Sequence, residues 1–220
     1  MKPFVFAIIL AGNGVYDGSE IHEAVMSMYA VQKNGAQYVI FAPDINQHHV
    51  INHVTGEEMP EKRNVLIESA RIARGNIKDL KEFNAENFDA LLIPGGFGVA
   101  KNLCSFAFDG EAKQINEQVL QAIQHMHKLH KPIGALCISP VLLAKAINGA
   151  AITLGNDKAT IEKVEKMGAT HQVSVHGQVT IDKKNKLFTA PCYMLEATIP
   201  QIAEDADNVV KEIINLLKNC

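Results

Sequence analysis

Hydrophobic positions along the chain fall into short unbroken runs that alternate with stripes at helical spacing. Phe4 to Leu10 is continuously apolar, the pattern of a strand covered on both faces, where no side chain has to meet water. Ile21, Ala24, Val25 and Met28 then recur every three or four residues and predict a helix, with Asp17 and Glu20 as its capping box and Gly35 as its end. Gln37 to Ala42 reads as a second strand, Arg63 to Arg74 as a helix, and Ala90 to Ile93 as a buried strand running into Pro94, Gly95 and Gly96. A stripe through Ile115, Val119, Ala122, Ile123, Met126 and Leu129 marks a long helix. It is followed by a strand over Ile133 to Leu136 and a helix from Pro140 to Ile147, entered through its proline. Ile161, Val164 and Met167 suggest a short helix. The turn from Asp182 to Lys186 separates two apolar triplets as a hairpin would, and Ile202 to Leu217 traces a closing helix.

Such alternation predicts an α/β fold, a single domain over residues 1–220 with a doubly wound, mostly parallel sheet and helices on both faces. In that architecture active sites lie beyond the carboxyl ends of the strands, so the loops that follow strands carry the search. Composition narrows the chemistry. The 21 Lys and Arg are balanced by 24 Asp and Glu, and the formal charge of -3 leaves no basic field for a phosphate backbone, which excludes nucleic-acid partners. The longest apolar run, Phe4 to Ala11, is well short of the roughly 20 residues a spanning helix needs, so no membrane partner is expected. Lys2 ahead of that run imitates a signal peptide, but no small-x-small cleavage site follows and Asp17, Glu20 and Glu23 come soon after, as fits a first strand. The four cysteines form no CxxC pair, the usage of a reducing compartment, and the expectation is a cytosolic protein.

Three loops stand out. Gly12-Asn13-Gly14-Val15-Tyr16-Asp17-Gly18 imitates a dinucleotide fingerprint, with Asp44 placed as a ribose-binding acid would be. Three acids at the start of the next helix would repel a pyrophosphate, so no dinucleotide cofactor is expected. Pro94-Gly95-Gly96-Phe97-Gly98 offers backbone N–H groups that a ligand oxygen can approach, a candidate oxyanion hole. In the third loop a strand ends, Cys137 follows at once, and a helix begins at Pro140. A thiol in that position meets free N–H groups and the positive helix end, which favour thiolate, and the small Ala135 and Ser139 on either side suit a nucleophile elbow. A buried, inert cysteine is the competing explanation. His48, His49 and His53, like His125, His127 and His130, lack acidic or cysteine ligands at a recognised spacing, and no metal is expected. Cys104 and Cys192 read as core and Cys220 as a frayed tail.

Several longer motifs share one resemblance. The stretches Val15 to Val25, Ile51 to Glu57, Arg63 to Arg71, Pro94 to Leu103 and Thr189-Ala190-Pro191 closely resemble the ElbB family, named for isoprenoid biosynthesis and described as glutathione-independent glyoxalases. That family belongs to the PfpI and amidotransferase-like superfamily. The resemblance implies a cofactor-independent enzyme in which Cys137 is the nucleophile and Glu23 the acid held beside its sulfur. It also implies an oxyanion site at the N–H groups of Gly96 and Ile138, with Gly95 in the same substrate-binding loop. The substrate class is a small aldehyde, glyoxal or a similar 2-oxoaldehyde, and a homodimer is the expected assembly. Two departures matter. None of the nine histidines has Glu two residues later, so glutamine hydrolysis is disfavoured; Ile138 rather than histidine follows Cys137, and the next strand, read as Ile152-Thr153-Leu154-Gly155, carries no histidine either. Glu23 is left alone or assisted by His171, His176 or Asn102. The alternative is a reactive-thiol stress or regulatory protein that binds a partner or carbonyl metabolite without efficient turnover.

Overall fold

The computed structural model describes residues 2–219. A seven-stranded sheet runs through the molecule in the order β3 (Lys78–Asp79), β2 (Gln37–Ala42), β1 (Val5–Ile9), β4 (Ala90–Ile93), β5 (Ile133–Leu136), β9 (Leu187–Ala190) and β8 (Thr180–Asp182). Every pairing is parallel except β8 with β9, the predicted hairpin. The strands read from sequence as unbroken apolar runs, β1, β4 and β5, lie in the middle and are buried along nearly their whole length. They have helices on both sides and so need no polar face. The doubly wound α/β expectation is met.

One face is covered by α1 (Ile21–Lys33) and α7 (Ile199–Lys218), whose apolar stripes close over Phe6, Ile8, Ile40 and Leu92. Lys33 and Asn34 at the end of α1 both reach Asp207 of α7, at 2.8 and 2.7 Å; against the burial that would raise it, Lys211, one turn on, and then Lys33 and Asn34 hold that carboxyl down to about 2. The other face carries α4 (Glu117–Lys128) and α5 (Pro140–Ala146) over Ile9, Leu91 and Ile133. α2 (Val65–Ile72) packs beside β2. α3 (Phe106–Asp109) and α6 (Lys158–Lys166) are short, and β6 (Ala151–Ile152) pairs with β7 (Thr170–His171) in a separate two-stranded sheet.

Two local expectations are corrected. Asp17 does not cap α1, because its carboxylate accepts the Ile51 N–H at 2.7 Å. Glu20 is the cap instead, its Oε2 accepting the Glu23 N–H at 2.7 Å. The stretch from Ile152 to Gly155 does not continue the main sheet. Its backbone is drawn to Thr189 Oγ1 and to the β7 strand.

Chain order along the sheet reverses between β1 and β4, and a crevice at such a reversal is where α/β sheets place their ligands. The loops after β1, β4, β5 and β9 converge there. Phe97 N–H donates to the Val15 carbonyl, Gly98 N–H to the Gly18 carbonyl, and Ser139 Oγ to the Pro94 carbonyl, so the first three loops form one unit.

Candidate active site

Cys137 directly follows β5 and sits at φ 57°, in the left-handed region that a side chain rarely occupies. Its N–H still donates to Ala190 of the neighbouring strand, at 3.1 Å. The chain must therefore turn sharply within one residue to enter α5, which lifts the sulfur over the sheet end, as a nucleophile elbow does. The N–H groups of Gly96 and Ile138 both lie close enough to favour negative charge on this sulfur.

Glu23 comes from the opposite side, one turn into α1. It is 0% exposed and Cys137 only 7%, and the two side chains lie close enough that each shifts the proton affinity of the other. Glu23 Oε2 accepts the Gly95 N–H at 2.7 Å, and Oε1 lies 3.4 Å from the Tyr193 N–H. The glycines make this approach feasible. A Cβ on Gly95 would stand 2.5 Å from Cys137 Cβ and 2.7 Å from Glu23 Oε2, in the space where acid and thiol meet. At Gly96, φ is 102° and a Cβ would run into the backbone of Gly18 and Glu20.

Burial sets the charge state. Loss of solvent, followed by the charge of Glu20, raises the Glu23 carboxyl to about 8, against the pull of the Gly95 N–H. Burial also raises the Cys137 thiol, with the Glu23 charge adding to it, and the N–H groups of Gly96 and Ile138 offset only part of this. The expectation that a helix start would favour thiolate is thus corrected: desolvation outweighs two N–H groups at a site closed to water. At neutral pH the pair is predominantly a carboxyl beside a thiol.

The other residues singled out from the sequence lie elsewhere or do other work. Gly95 belongs to the site but not to the oxyanion donors, because its N–H is taken by Glu23. Asn102 lies in a π-helical turn, Val99–Leu103, and its amide is fully committed. Nδ2 donates to the Ala11 and Asp17 carbonyls and Oδ1 accepts the His48 N–H, so it fastens the loop after β1. His171 Nε2 accepts the Leu154 N–H at 2.9 Å in the small sheet. His176 sits between Asp205 Oδ2 at 3.0 Å and the Glu196 carbonyl at 3.1 Å. Burial opposes its charge, but those two acceptors leave the imidazolium favoured on balance. Asp205 in turn accepts the N–H groups of Gly177 and Cys192, so His176 reaches the site only through the backbone of the turn after β9. Asp44 accepts a hydrogen bond from Asn64. Cys104 and Cys192 are buried, and Cys220 lies outside the described residues. Among the described residues no group of three His, Cys, Asp or Glu side chains is arranged to hold a metal ion.

Three neighbours of the pair escaped the sequence reading. Glu20 raises Glu23, and His22 Nδ1 and Tyr193 Oη lie 2.8 Å apart at the outer side of the site. The histidine was hidden by its commonplace position beside Glu23, and Tyr193 followed a motif whose role was unassigned.

Comparison with known proteins fits this arrangement. The model of the DJ-1/PfpI family matches residues 14–192, which include Glu23, Gly96 and Cys137. The chain is 44% identical to the ES1 protein homolog, mitochondrial, of Rattus norvegicus, over 96% of this chain and 83% of that protein. It is 42% identical to a human protein named glutamine amidotransferase-like class 1 domain-containing protein 3, mitochondrial, over 96% and 82%. Among solved structures, an isoprenoid biosynthesis protein with an amidotransferase-like domain from Ehrlichia chaffeensis superposes with a TM-score of 0.89 at 35% identity, covering 96% of this chain and 99% of that one. Glyoxalase III from Candida albicans shares the fold, with a TM-score of 0.63 at 15% identity and 96% of each chain covered. The names of the rat and human relatives overturn the cytosolic expectation. Unpaired cysteines report a reducing environment and do not tell one such compartment from another.

Proposed function

Since the chain belongs to the DJ-1/PfpI family, we propose that it is a glutathione-independent glyoxalase of the ElbB type, converting glyoxal or a similar small 2-oxoaldehyde to a 2-hydroxy acid. The observation that carries this reading is the Cys137 sulfur facing two backbone N–H groups and a buried, proton-holding Glu23. The similarity to the Ehrlichia isoprenoid biosynthesis protein supports the ElbB type, and a glyoxalase III is built on the same fold.

In this mechanism the reacting form is the pair with one proton removed. Cys137 Sγ bonds to one carbonyl carbon of glyoxal while the thiol proton passes to the Glu23 carboxylate. The Gly96 and Ile138 N–H groups hold the oxyanion until Glu23 returns that proton to it, giving a hemithioacetal. The freed carboxylate then takes the hydrogen from the same carbon, and the electron pair forms the double bond of an enediolate. Glu23 delivers the proton to the second carbon while the hydroxyl proton on the first oxygen passes to the second oxygen, leaving a glycolyl thioester and the Glu23 carboxylate. Water cleaves the thioester, releasing glycolate and restoring the thiol. Atoms balance as glyoxal plus water to glycolic acid, with no external oxidant or reductant. The low exposure of Cys137, 7%, favours a small aldehyde in this reading.

Glyoxal incubated with the pure protein without glutathione should yield glycolate, measured by chromatography, and a rate equal to buffer alone would refute the reading. The alternative of a reactive thiol without turnover is less favoured by the same burial, which keeps the sulfur protonated at neutral pH. The proposal includes a homodimer, to be read by sedimentation at micromolar protein.

A further inference from the structure

The mechanism leaves one oxygen unattended. When the carbon-bound hydrogen is removed, negative charge develops on the oxygen of the second carbonyl, whereas the Gly96 and Ile138 donors face the sulfur and the first. A donor for that oxygen has to border Glu23, keep its proton at neutral pH and be reachable from the mouth of the site.

Tyr193 meets these requirements. Its backbone N–H reaches Glu23 Oε1 at 3.4 Å, so the residue adjoins the acid. Burial, together with the charges of Glu20 and Glu23, holds its hydroxyl above the usual tyrosine value, so it remains a donor. His22, next to Glu23 on α1, has Nδ1 2.8 Å from the Tyr193 oxygen and 3.8 Å from Glu20 Oε1. A carboxylate near Nδ1 favours the tautomer with its proton there, and that N–H then donates to the tyrosine oxygen. The tyrosine's own proton is left free to point at a ligand. Tyr193 and His22 are both half-buried, unlike the acid and thiol.

We propose that Tyr193, oriented by His22, donates a hydrogen bond to the second oxygen of the substrate and so selects 1,2-dicarbonyls over simple aldehydes. The identity of the ligand rests on the glyoxalase reading. Tyr193 is the catalytic residue of the two because it touches the reacting oxygen, and His22 is a positioning residue acting through it. As the enediolate forms, the hydrogen bond strengthens with no bond to the tyrosine broken, and it relaxes when Glu23 protonates the second carbon.

The test measures how well glyoxal and propanal, an aldehyde with one oxygen, protect Cys137 from iodoacetamide, read by peptide mass spectrometry, together with glycolate formation. Tyr193→Phe should require about five to ten times more glyoxal for protection, with propanal unchanged, and should lower kcat/KM for glyoxal by roughly 10²-fold. His22→Leu should act in the same direction, and His22→Asn, which places an amide nitrogen near Nδ1, should restore part of the selectivity. An equal loss with both aldehydes, or no change with either, overturns the proposal. If selectivity collapses in the Tyr193→Phe protein but the parent makes no glycolate, the dicarbonyl site stands and the glyoxalase reading falls. If the parent makes glycolate and Tyr193→Phe matches its kcat/KM and its selectivity, the pair is overturned and the reading stands.

Discussion

Cys137 and Cys192 occupy nearly equivalent places at the ends of adjacent parallel strands, β5 and β9. Both are buried and both adopt a left-handed backbone, with φ of 57° and 43°. Burial raises both thiols. The difference lies in what reaches the sulfur. At Cys137 the chain continues into α5, the N–H groups of Gly96 and Ile138 favour charge on the sulfur, and Glu23 lies beside it. At Cys192 the chain enters a short 3-10 turn, Cys192–Met194, and the residue's own N–H is spent on Asp205, at 3.1 Å. Strained backbone and burial do not make a nucleophile. Groups that stabilise charge on the sulfur, and a partner that moves its proton, do.

The strongest way to break this comparison is to remove each sulfur in turn. Cys137→Ala should lower glyoxal conversion by roughly 10³-fold or more and abolish labelling of that position, read by glycolate assay and peptide mapping. Equal losses in Cys137→Ala and Cys192→Ala would erase the distinction.

Glu23→Gln sharpens it further. The amide keeps a hydrogen bond to the sulfur but cannot carry a proton, so turnover should fall by about 10² to 10⁴-fold while Cys137 still reacts with iodoacetamide. In the parent, the rate should rise with pH and level off near 8, as Glu23 ionises and becomes able to take the thiol proton. Stability should move in the opposite sense. The folded state keeps the Glu23 proton up to about 8 and the unfolded chain loses it near the ordinary value of 4.5, so this contribution declines as pH rises between the two. The whole swing is on the order of 5 kcal/mol. Glu23→Gln should flatten that decline in urea titrations at pH 5, 7 and 9, and an unchanged slope would show that Glu23 is not held protonated.

Asp205→Ala tests the support of the Cys192 turn. It strips a fully buried carboxylate from His176 and from the N–H groups of Gly177 and Cys192, and should cost about 3 kcal/mol by urea denaturation, with kcat falling less than in Glu23→Gln. The smallest effect belongs to Cys192→Ala. A buried thiol without a proton partner leaves only a small cavity, about 1 kcal/mol, and activity should stay within a few-fold of the parent.

Much of the fold was legible in the chain. Gln37 to Ala42, Ala90 to Ile93 and Ile133 to Leu136 are strands at the predicted bounds because continuous apolar runs bounded by turns have few other stable placements. The small sheet of β6 and β7 was not legible. Two-residue strands carry no periodicity, and Ile152 to Gly155 reads from sequence as one more strand of the main sheet rather than as part of a separate pair.

The sequence by itself determined the alternation of strand and helix, the elbow at Cys137 and the glycines before it, since these depend on local pattern and backbone freedom. The resemblance it carried singled out Glu23. Only the tertiary structure decided that the Glu23 carboxyl keeps its proton, that Gly95 serves Glu23, that Asn102 and His171 are spent on backbone groups, and that His176 is held between Asp205 and the Glu196 carbonyl. It alone brought His22 and Tyr193 together across 171 positions of chain. Proton affinity and hydrogen-bond choice follow from desolvation and from competing partners within a few ångströms, and neither is fixed until distant segments have packed.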